Sequence, residues 1–331
     1  MNNNKLRWGI LSSARIARQK VIPAIQRSLR GTVTAIASRD VAVARQVAQI
    51  HQIPVVCPSY EDLISSREID AVYIPLPNHL HVEWASLALK AGKHVLCEKP
   101  LGMNEMEVTK LERISRLYPE QLVSEAFMYR YHPQWKRTRH LIRSKSIGDL
   151  QSIHVHFSYD NKDPGNIRNK LAFGGGALMD IGCYGISVAR WLFESEPRRV
   201  CARMVRHTEF GTDTYTTILM DFPEGSATVM CATQMQRYQR VTLVGSHGQI
   251  TLHTPFNAPP DETVRMEHQN GDEHSIHEIG PVDQYTVQCD HFAAEAIDGE
   301  PLLTPISDAL CNMRVIDACF QSEQKDAWMD C

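Results

Sequence analysis

Short apolar runs and amphipathic stretches alternate along the chain from its first residues. Residues 6–11 (Leu-Arg-Trp-Gly-Ile-Leu) read as a strand, and from Ala14 to about Leu29 the apolar residues Ile16, Ala17, Val21, Ala24, Ile25 and Leu29 recur at helical spacing. Residues 33–37 are apolar and β-branched, a second strand, after which Asp40 is placed to cap an alanine- and valine-rich helix to about His51. Val55-Val56 gives a minimal strand and residues 60–65 a short helix. Strands at 70–74 and 94–97 flank a helix at about 80–91 that stops at Gly92, where a C-terminal glycine belongs. A helix at about 104–117 leads to a strand at 121–126. Regular alternation of strand and helix predicts a parallel sheet covered on both faces.

Past residue 150 the period changes. Alternating runs at 151–158, 200–206, 214–222, 226–233, 239–244 and 248–253 are joined by hairpin-like links such as Pro223-Glu-Gly225 and Gly245-Ser-His-Gly248. Helical periodicity interrupts them at about 176–193, 283–298 and 305–322. The fold class is therefore an α/β domain on a parallel sheet plus an α+β domain with a large, mostly antiparallel sheet. The boundary is drawn between residues 126 and 127, giving units 1–126 and 127–331.

Composition narrows the function classes. The 331 residues carry 35 Lys plus Arg against 38 Asp plus Glu, a net charge of −3 without the basic footprint of a nucleic-acid binder. The basic stretch Lys136, Arg137, Arg139, Arg143 and Lys145 reads as a solvated helix face. No run of about 18 apolar residues is evident, and the first residues pass into a strand without a signal-peptide core, so no membrane partner is expected. Nine cysteines lack a Cys-x-x-Cys pair or regular spacing, which predicts thiols in a reducing, cytoplasmic setting. His79-x-His81 and His154-x-His156 lack accompanying ligands, so no metal is expected.

The first strand–turn–helix carries Ser12, Ser13, Ala14, Arg15 and Ile16, where a dinucleotide fold places its glycine-rich phosphate turn. The three glycine positions are Ser12, Ala14 and Ala17; all are small, so close backbone approach survives without glycine. The second strand ends at Ser38-Arg39. A hydroxyl and a guanidinium suit a 2′-phosphate better than a 2′-hydroxyl, so NADP is favoured over NAD. Asp40 is the competing residue there, since an acidic side chain at this strand end would read a free ribose.

Two further segments, Asp70-Ala-Val-Tyr-Ile-Pro-Leu-Pro-Asn78-His-Leu-His81 and Ala91-Gly-Lys-His-Val-Leu-Cys-Glu98-Lys99-Pro100, resemble the Gfo/Idh/MocA oxidoreductase family. Gly174-Gly-Gly-Ala-Leu-Met-Asp180-Ile-Gly-Cys-Tyr184 is similar to a second motif of that family, with further matches at 125–133, 163–169 and 312–317. The resemblance covers about residues 5–320 and looks closest to the branch of NADP-dependent sugar and diol dehydrogenases. It implies an α/β Rossmann domain followed by a domain with an open sheet, with a cofactor at the carboxyl ends of the first-domain strands. Pro75, Leu76, Asn78, His81 and Glu98 are read as lining that cleft, Asn78 toward the nicotinamide or its ribose, Glu98 toward ribose hydroxyls and His81 more as support than as a proton carrier. The resemblance further implies a cis Lys–Pro bond and a catalytic set of Lys99, Asp180 and Tyr184.

Asp180 and Tyr184 are four apart in a predicted helix and leave from one face. A free phenol and a free ammonium hold their protons to about 10 and 10.4, so proton transfer at neutral pH needs a neighbouring charge. Tyr184 is read as the proton-transfer residue, Lys99 as its electrostatic partner and Asp180 as the orienter; Lys99 as the base stays open. This works only if the Asp180 charge is matched by Lys99 or a substrate hydroxyl rather than facing Tyr184 alone. Arg168 and Asn169 are candidate substrate ligands. The chain is read as an NADP(H)-dependent oxidoreductase acting on a polyhydroxylated small molecule, as a homodimer or homotetramer. A sugar 3-ketoreductase and a non-catalytic nucleotide-binding regulator are the alternatives; filled positions at 99, 180 and 184 favour an enzyme.

Overall fold

The apolar runs of the first third become β1 (Leu6–Leu11), β2 (Gly31–Ala37), β3 (Val55–Cys57), β4 (Ala71–Ile74), β5 (His94–Cys97) and β6 (Val123–Glu125). In the computed structural model, which describes residues 5–331, they pair in parallel in the order β3-β2-β1-β4-β5-β6. Residues 1–4, read above as carrying no signal core, lie outside the described residues. The winding direction reverses between β1 and β4, the switch point where open α/β sheets bind ligands.

Helices α1 (Ile22–Arg27), α2 (Val41–His51), α3 (Tyr60–Ser65), α4 (His81–Lys90) and α5 (Glu105–Ser115) link these strands. A π-helical turn, Ala17–Val21, precedes α1. Further along come α6 (Pro133–Arg143), α7 (Cys183–Phe193), α8 (Gln284–Asp298) and α9 (Ile306–Lys325). The chain divides into a first unit, residues up to Met128 with Asp283–Leu310, and a second, Tyr129–Val282 with Cys311–Cys331.

That division corrects the sequence boundary. Cys289, Phe292 and Ala293 of α8 join the same buried cluster as Trp8, Ile10, Ile22, Ile36 and Tyr73, and the rings of Trp8 and Phe292 lie 5.1 Å apart. The apolar face of α8 completes a core whose other buried members run from Leu6 to Ala126, a pairing local periodicity does not register.

The second unit holds β7 (Leu150–Asp160), β8 (Arg199–Arg206), β9 (Asp213–Asp221), β10 (Ser226–Ala232), β11 (Gln234–Gly245), β12 (Gly248–Leu252), β13 (Val264–Asn270), β14 (Glu273–Ile279) and β15 (Met329–Asp330). They form one sheet in the order β14-β13-β12-β11-β7-β10-β9-β8-β15, antiparallel throughout except for the parallel pair β7–β10. Strands β13, β14 and β15 escaped the sequence reading, because β14 is largely exposed and β13 buries only Val264 and Met266.

Helix α7 lies close on one face of this sheet. A Cβ on Gly185 would come within 2.5 Å of Val229 Cγ1, so glycine sets the distance of approach. The stretch Leu171–Phe193 is apolar and long enough to cross a membrane by length and composition, correcting the sequence impression, yet 83% of its apolar window is buried inside the fold. It is a core segment of the second unit.

Candidate functional site

The candidate residues fall in both units, and each set has its own local architecture. In the first unit, Ser12 adopts φ +127°, the backbone region that favours glycine, and its Oγ accepts from the Ala14 N–H at 2.9 Å. A serine hydroxyl here satisfies a donor that a glycine turn leaves open. Ser13 Oγ and Ser38 Oγ lie 3.0 Å apart, tying the turn after β1 to the end of β2. Ser38 is buried and Arg39 exposed at that strand end. Asp40 spends its carboxylate on the N-terminus of α2, accepting from the Ala42 and Val43 N–H groups at 2.9 and 3.3 Å. It does not compete with Arg39 for the ribose end of a nucleotide.

Two side chains of the turn point elsewhere. The Arg15 guanidinium donates to Gln19 Oε1 at 2.8 Å along its own helix, and Ile16 packs against the apolar core. Any role for these residues toward a ligand belongs to their backbone.

Beyond β4, Pro75 and Leu76 are buried and Asn78 opens a 3-10 turn, Asn78–Leu80. His81 is fully buried, with Nδ1 2.8 Å from the Pro100 carbonyl and Nε2 2.8 Å from the Leu76 carbonyl. Both ring nitrogens face backbone carbonyls, one of which accepts from the single N–H of the neutral ring, so His81 braces the loops after β4 and β5. Burial, opposed by the two carbonyls and aided by the Lys99 charge, lowers its pKa to about 4.

After β5, Glu98 accepts from the Tyr73 hydroxyl at 2.5 Å. Tyr73 is wholly buried, and burial together with Glu98 drives its phenol well above the usual range, so it stays a donor. Lys99 follows, joined to Pro100 by the cis bond the resemblance implies. Leu101 N–H donates to the buried Glu125 Oε1 at 2.9 Å, fixing the chain just past Lys99. Ser12–Ala14, Ser38–Arg39, Asn78 and Lys99 thus follow the carboxyl ends of β1, β2, β4 and β5.

In the second unit, Asp180 sits in a π-helical turn, Leu178–Gly182, and Tyr184 in the first turn of α7. Such turns recur at functional sites and are invisible to a helical-period reading. Asp180 Oδ2 accepts from the Tyr159 hydroxyl at 2.6 Å and pairs with Arg168 Nε at 3.0 Å. The carboxylate is therefore matched within its own unit, by a guanidinium and a phenol. Tyr159 was missed. Its signal was parity on β7, since residues 155, 157 and 159 share the side opposite His154 and His156. Burial first, then Asp180, pushes the Tyr159 phenol far above its usual range, so it remains a hydrogen-bond donor.

Arg168, read as a substrate ligand, has its guanidinium on Asp180. Asn169 is also corrected: it is buried, and its amide donates to the Asn161 and Asp163 carbonyls at 3.2 and 2.8 Å, bracing the loop rather than facing a substrate. Tyr184 is buried in an aromatic cluster, with ring centroids 5.2 Å from Phe256, 5.7 Å from Phe157 and 5.8 Å from Tyr129.

The glycine run before Asp180 has a cause the sequence did not reveal. Gly176 adopts φ +120°, and a Cβ there would lie 2.0 Å from Asp213 Oδ1. Asp213 is buried, and its Oδ2 accepts from the Leu178 N–H at 2.7 Å and the Thr216 hydroxyl at 2.6 Å. The glycine makes room for an internal carboxylate that anchors the start of the Asp180 helix. Among the described residues, no group of three His, Cys, Asp or Glu is assembled to hold a metal ion.

Comparison with known proteins agrees with both halves of the chain. Residues 6–124 match the oxidoreductase family with an NAD-binding Rossmann fold, and residues 135–251 match the GFO/IDH/MocA C-terminal domain. An uncharacterized oxidoreductase of Rhizobium meliloti is 39% identical over 98% of both chains. A D-xylose 1-dehydrogenase (NADP(+)) of Haloferax volcanii is 34% identical over 97% of this chain and 98% of its own. The crystal structure of a 3-ketoreductase from Actinomadura kijaniata, in complex with NADP and TDP-benzene, superposes with a TM-score of 0.90 at 28% identity, covering 96% of this chain and 98% of the other. With a family model on each half and full-length relatives above 30% identity, the chain belongs to the Gfo/Idh/MocA oxidoreductase family.

Proposed function

We propose that the protein is an NADP(H)-dependent oxidoreductase that moves a hydride between the nicotinamide and a CH–OH or C=O group of a sugar, polyol or cyclic diol. The observation that carries this reading is the common placement of Ser12–Ala14, Ser38–Arg39, Asn78 and Lys99 at the carboxyl ends of β1, β2, β4 and β5, around the switch point. The donors suit the group. Small residues admit a pyrophosphate, and an exposed Arg39 beside a buried Ser38 suits a 2′-phosphate, with Asp40 withdrawn into a helix cap. When bound, the nicotinamide supplies the hydride acceptor or donor.

The chain's own residues handle the proton and the orientation. Tyr184 carries the substrate proton, and Lys99 holds the substrate oxygen and favours its charged form. Asp180 orients the substrate hydroxyls, its charge offset by Arg168 and its position fixed by Tyr159. Arg168 and the Tyr159 hydroxyl meet the requirement that Asp180 be matched.

Reduction of a keto sugar is the same chemistry in reverse. Similarity to the 3-ketoreductase over nearly the whole chain supports it as a second reading. Screening aldoses, inositols and diols for NADP+ reduction, and keto sugars for NADPH oxidation, separates the two directions. Failure with every polyhydroxylated compound in both directions would contradict the substrate class.

We also propose a cytoplasmic homodimer or homotetramer. Val205, Leu219, Tyr238 and Ile276 are exposed on the face of the nine-stranded sheet opposite Val229, and a second copy would cover that surface. Nine free cysteines fit a reducing compartment.

A further inference from the structure

Glu125, the first residue of the 125–133 segment, belongs to no catalytic or cofactor set, yet it reaches the chain beside Lys99. Past the end of β5 the sheet ladder soon runs out. The Glu98 N–H still donates to the Ile74 carbonyl at 3.1 Å, and beyond it side chains take over. The Pro100 carbonyl lies 2.8 Å from His81 Nδ1, and the N–H of the buried Leu101 donates to Glu125 Oε1 at 2.9 Å. Lys99 stands between peptide groups held on both sides of it.

Glu125 is itself held. It is buried at the end of β6, paired with Cys97 at the end of β5, and the next residue, Ala126, donates its N–H to the Cys97 carbonyl at 2.8 Å. The Glu125 carbonyl accepts from the Thr304 hydroxyl at 3.2 Å, and that hydroxyl lies 2.6 Å from Ser124 Oγ. Thr304 belongs to the segment Asp283–Leu310 that returns to the first unit. The strand that carries the carboxyl group is thus fixed from two directions, by β5 and by the returning segment. Withdrawing the group strips a buried N–H of its acceptor.

An ammonium that must stand at a substrate oxygen tolerates little displacement, since a shift of about 1 Å can cost about 10²-fold in rate. Resting on the role of Lys99 proposed above, we infer that Glu125 is a positioning residue for Lys99. Its carboxyl oxygen, through the Leu101 N–H, fixes the stretch of chain from which the ammonium projects. What the site needs from Glu125 is the reach of one acceptor oxygen, not a second charge.

Two conservative variants of the whole chain separate reach from charge. Glu125→Gln keeps an acceptor oxygen at the same reach, whereas Glu125→Asp keeps the carboxyl group and withdraws it by one methylene. Lys99 is read without substrate by trace acetylation and mass spectrometry, against the exposed Lys90 and Lys110. Thermal melts accompany it, and kcat is measured with the best NADP+-reducing substrate in the native and Lys99→Ala backgrounds. Glu125→Asp should change the relative acetylation of Lys99 at least about twofold and lower kcat about tenfold, while Glu125→Gln holds both within about twofold. In the Lys99→Ala background the Asp substitution should cost less than about twofold, because the group it positions is gone. Unchanged Lys99 acetylation in Glu125→Asp, equal kcat losses with and without Lys99, or a Gln variant as impaired as the Asp variant would overturn the inference. So would losses that track a fall in melting temperature. A wild-type chain that turns over no polyhydroxylated substrate, with Lys99 acetylation still following the predicted order, would leave the positioning standing and refute the oxidoreductase reading beneath it.

Discussion

At Asp180, two neighbours decide what a carboxylate in an apolar segment can do. Arg168 offsets its charge and Tyr159 fixes its direction, and the carboxylate in turn helps keep the Tyr159 phenol protonated. Lys99, Asp180 and Tyr184 were legible because their motifs are contiguous in the chain. Tyr159, Tyr73 and Asp213 were not, because each acts on a residue distant in sequence and carries no local signature. His81 was legible as a supporting residue beside the cleft, and only the coordinates show that both of its ring nitrogens face backbone carbonyls.

Its burial also has a consequence for pH. A histidine held at about 4 in the folded chain and titrating near 6.5 when unfolded binds its proton more readily in the unfolded state. The stability it contributes is complete above about pH 6.5 and is lost as pH falls toward about 4. Urea unfolding should show His81 contributing about 2 kcal/mol of the loss between about pH 7.5 and pH 5. That share should vanish in His81→Gln; identical pH slopes for the two chains would remove His81 from the account.

Among the elements, the first sheet was readable almost strand by strand, because both of its faces are covered and its strands are continuously apolar. The β13–β14 hairpin was not, because an exposed edge of mixed polarity lacks the alternation that marks a half-buried strand. The two π turns were also hidden, since each preserves the apolar face of the helix it interrupts. The chain itself constrains the glycine run, through the Asp213 carboxylate at Gly176 and the Arg168 carbonyl at Gly175. Gly176→Ala should therefore destabilise the second unit by at least about 2 kcal/mol, through backbone strain and the displaced carboxylate. Chemical denaturation reads this directly. A variant as stable as the wild type would show that Asp213 yields without cost.

For the whole molecule, composition set the class and periodicity set two architectures, but neither could show the chain returning to its first unit through Asp283–Leu310. Replacing Leu219 and Ile276 together by Lys should shift the proposed oligomer toward monomer in sedimentation velocity. A wild type that sediments as a monomer at micromolar concentration would contradict the proposed assembly.

Kinetic coupling between Lys99 and Tyr184 tests their proposed roles in proton and hydride transfer most directly. With the best NADP+-reducing substrate from the screen, Lys99→Ala and Tyr184→Phe should each lower kcat by at least about 10²-fold. The double variant should fall little below the worse single one, as expected for groups that act as a unit. Multiplying losses, or a single variant with unaltered turnover, would contradict a shared step.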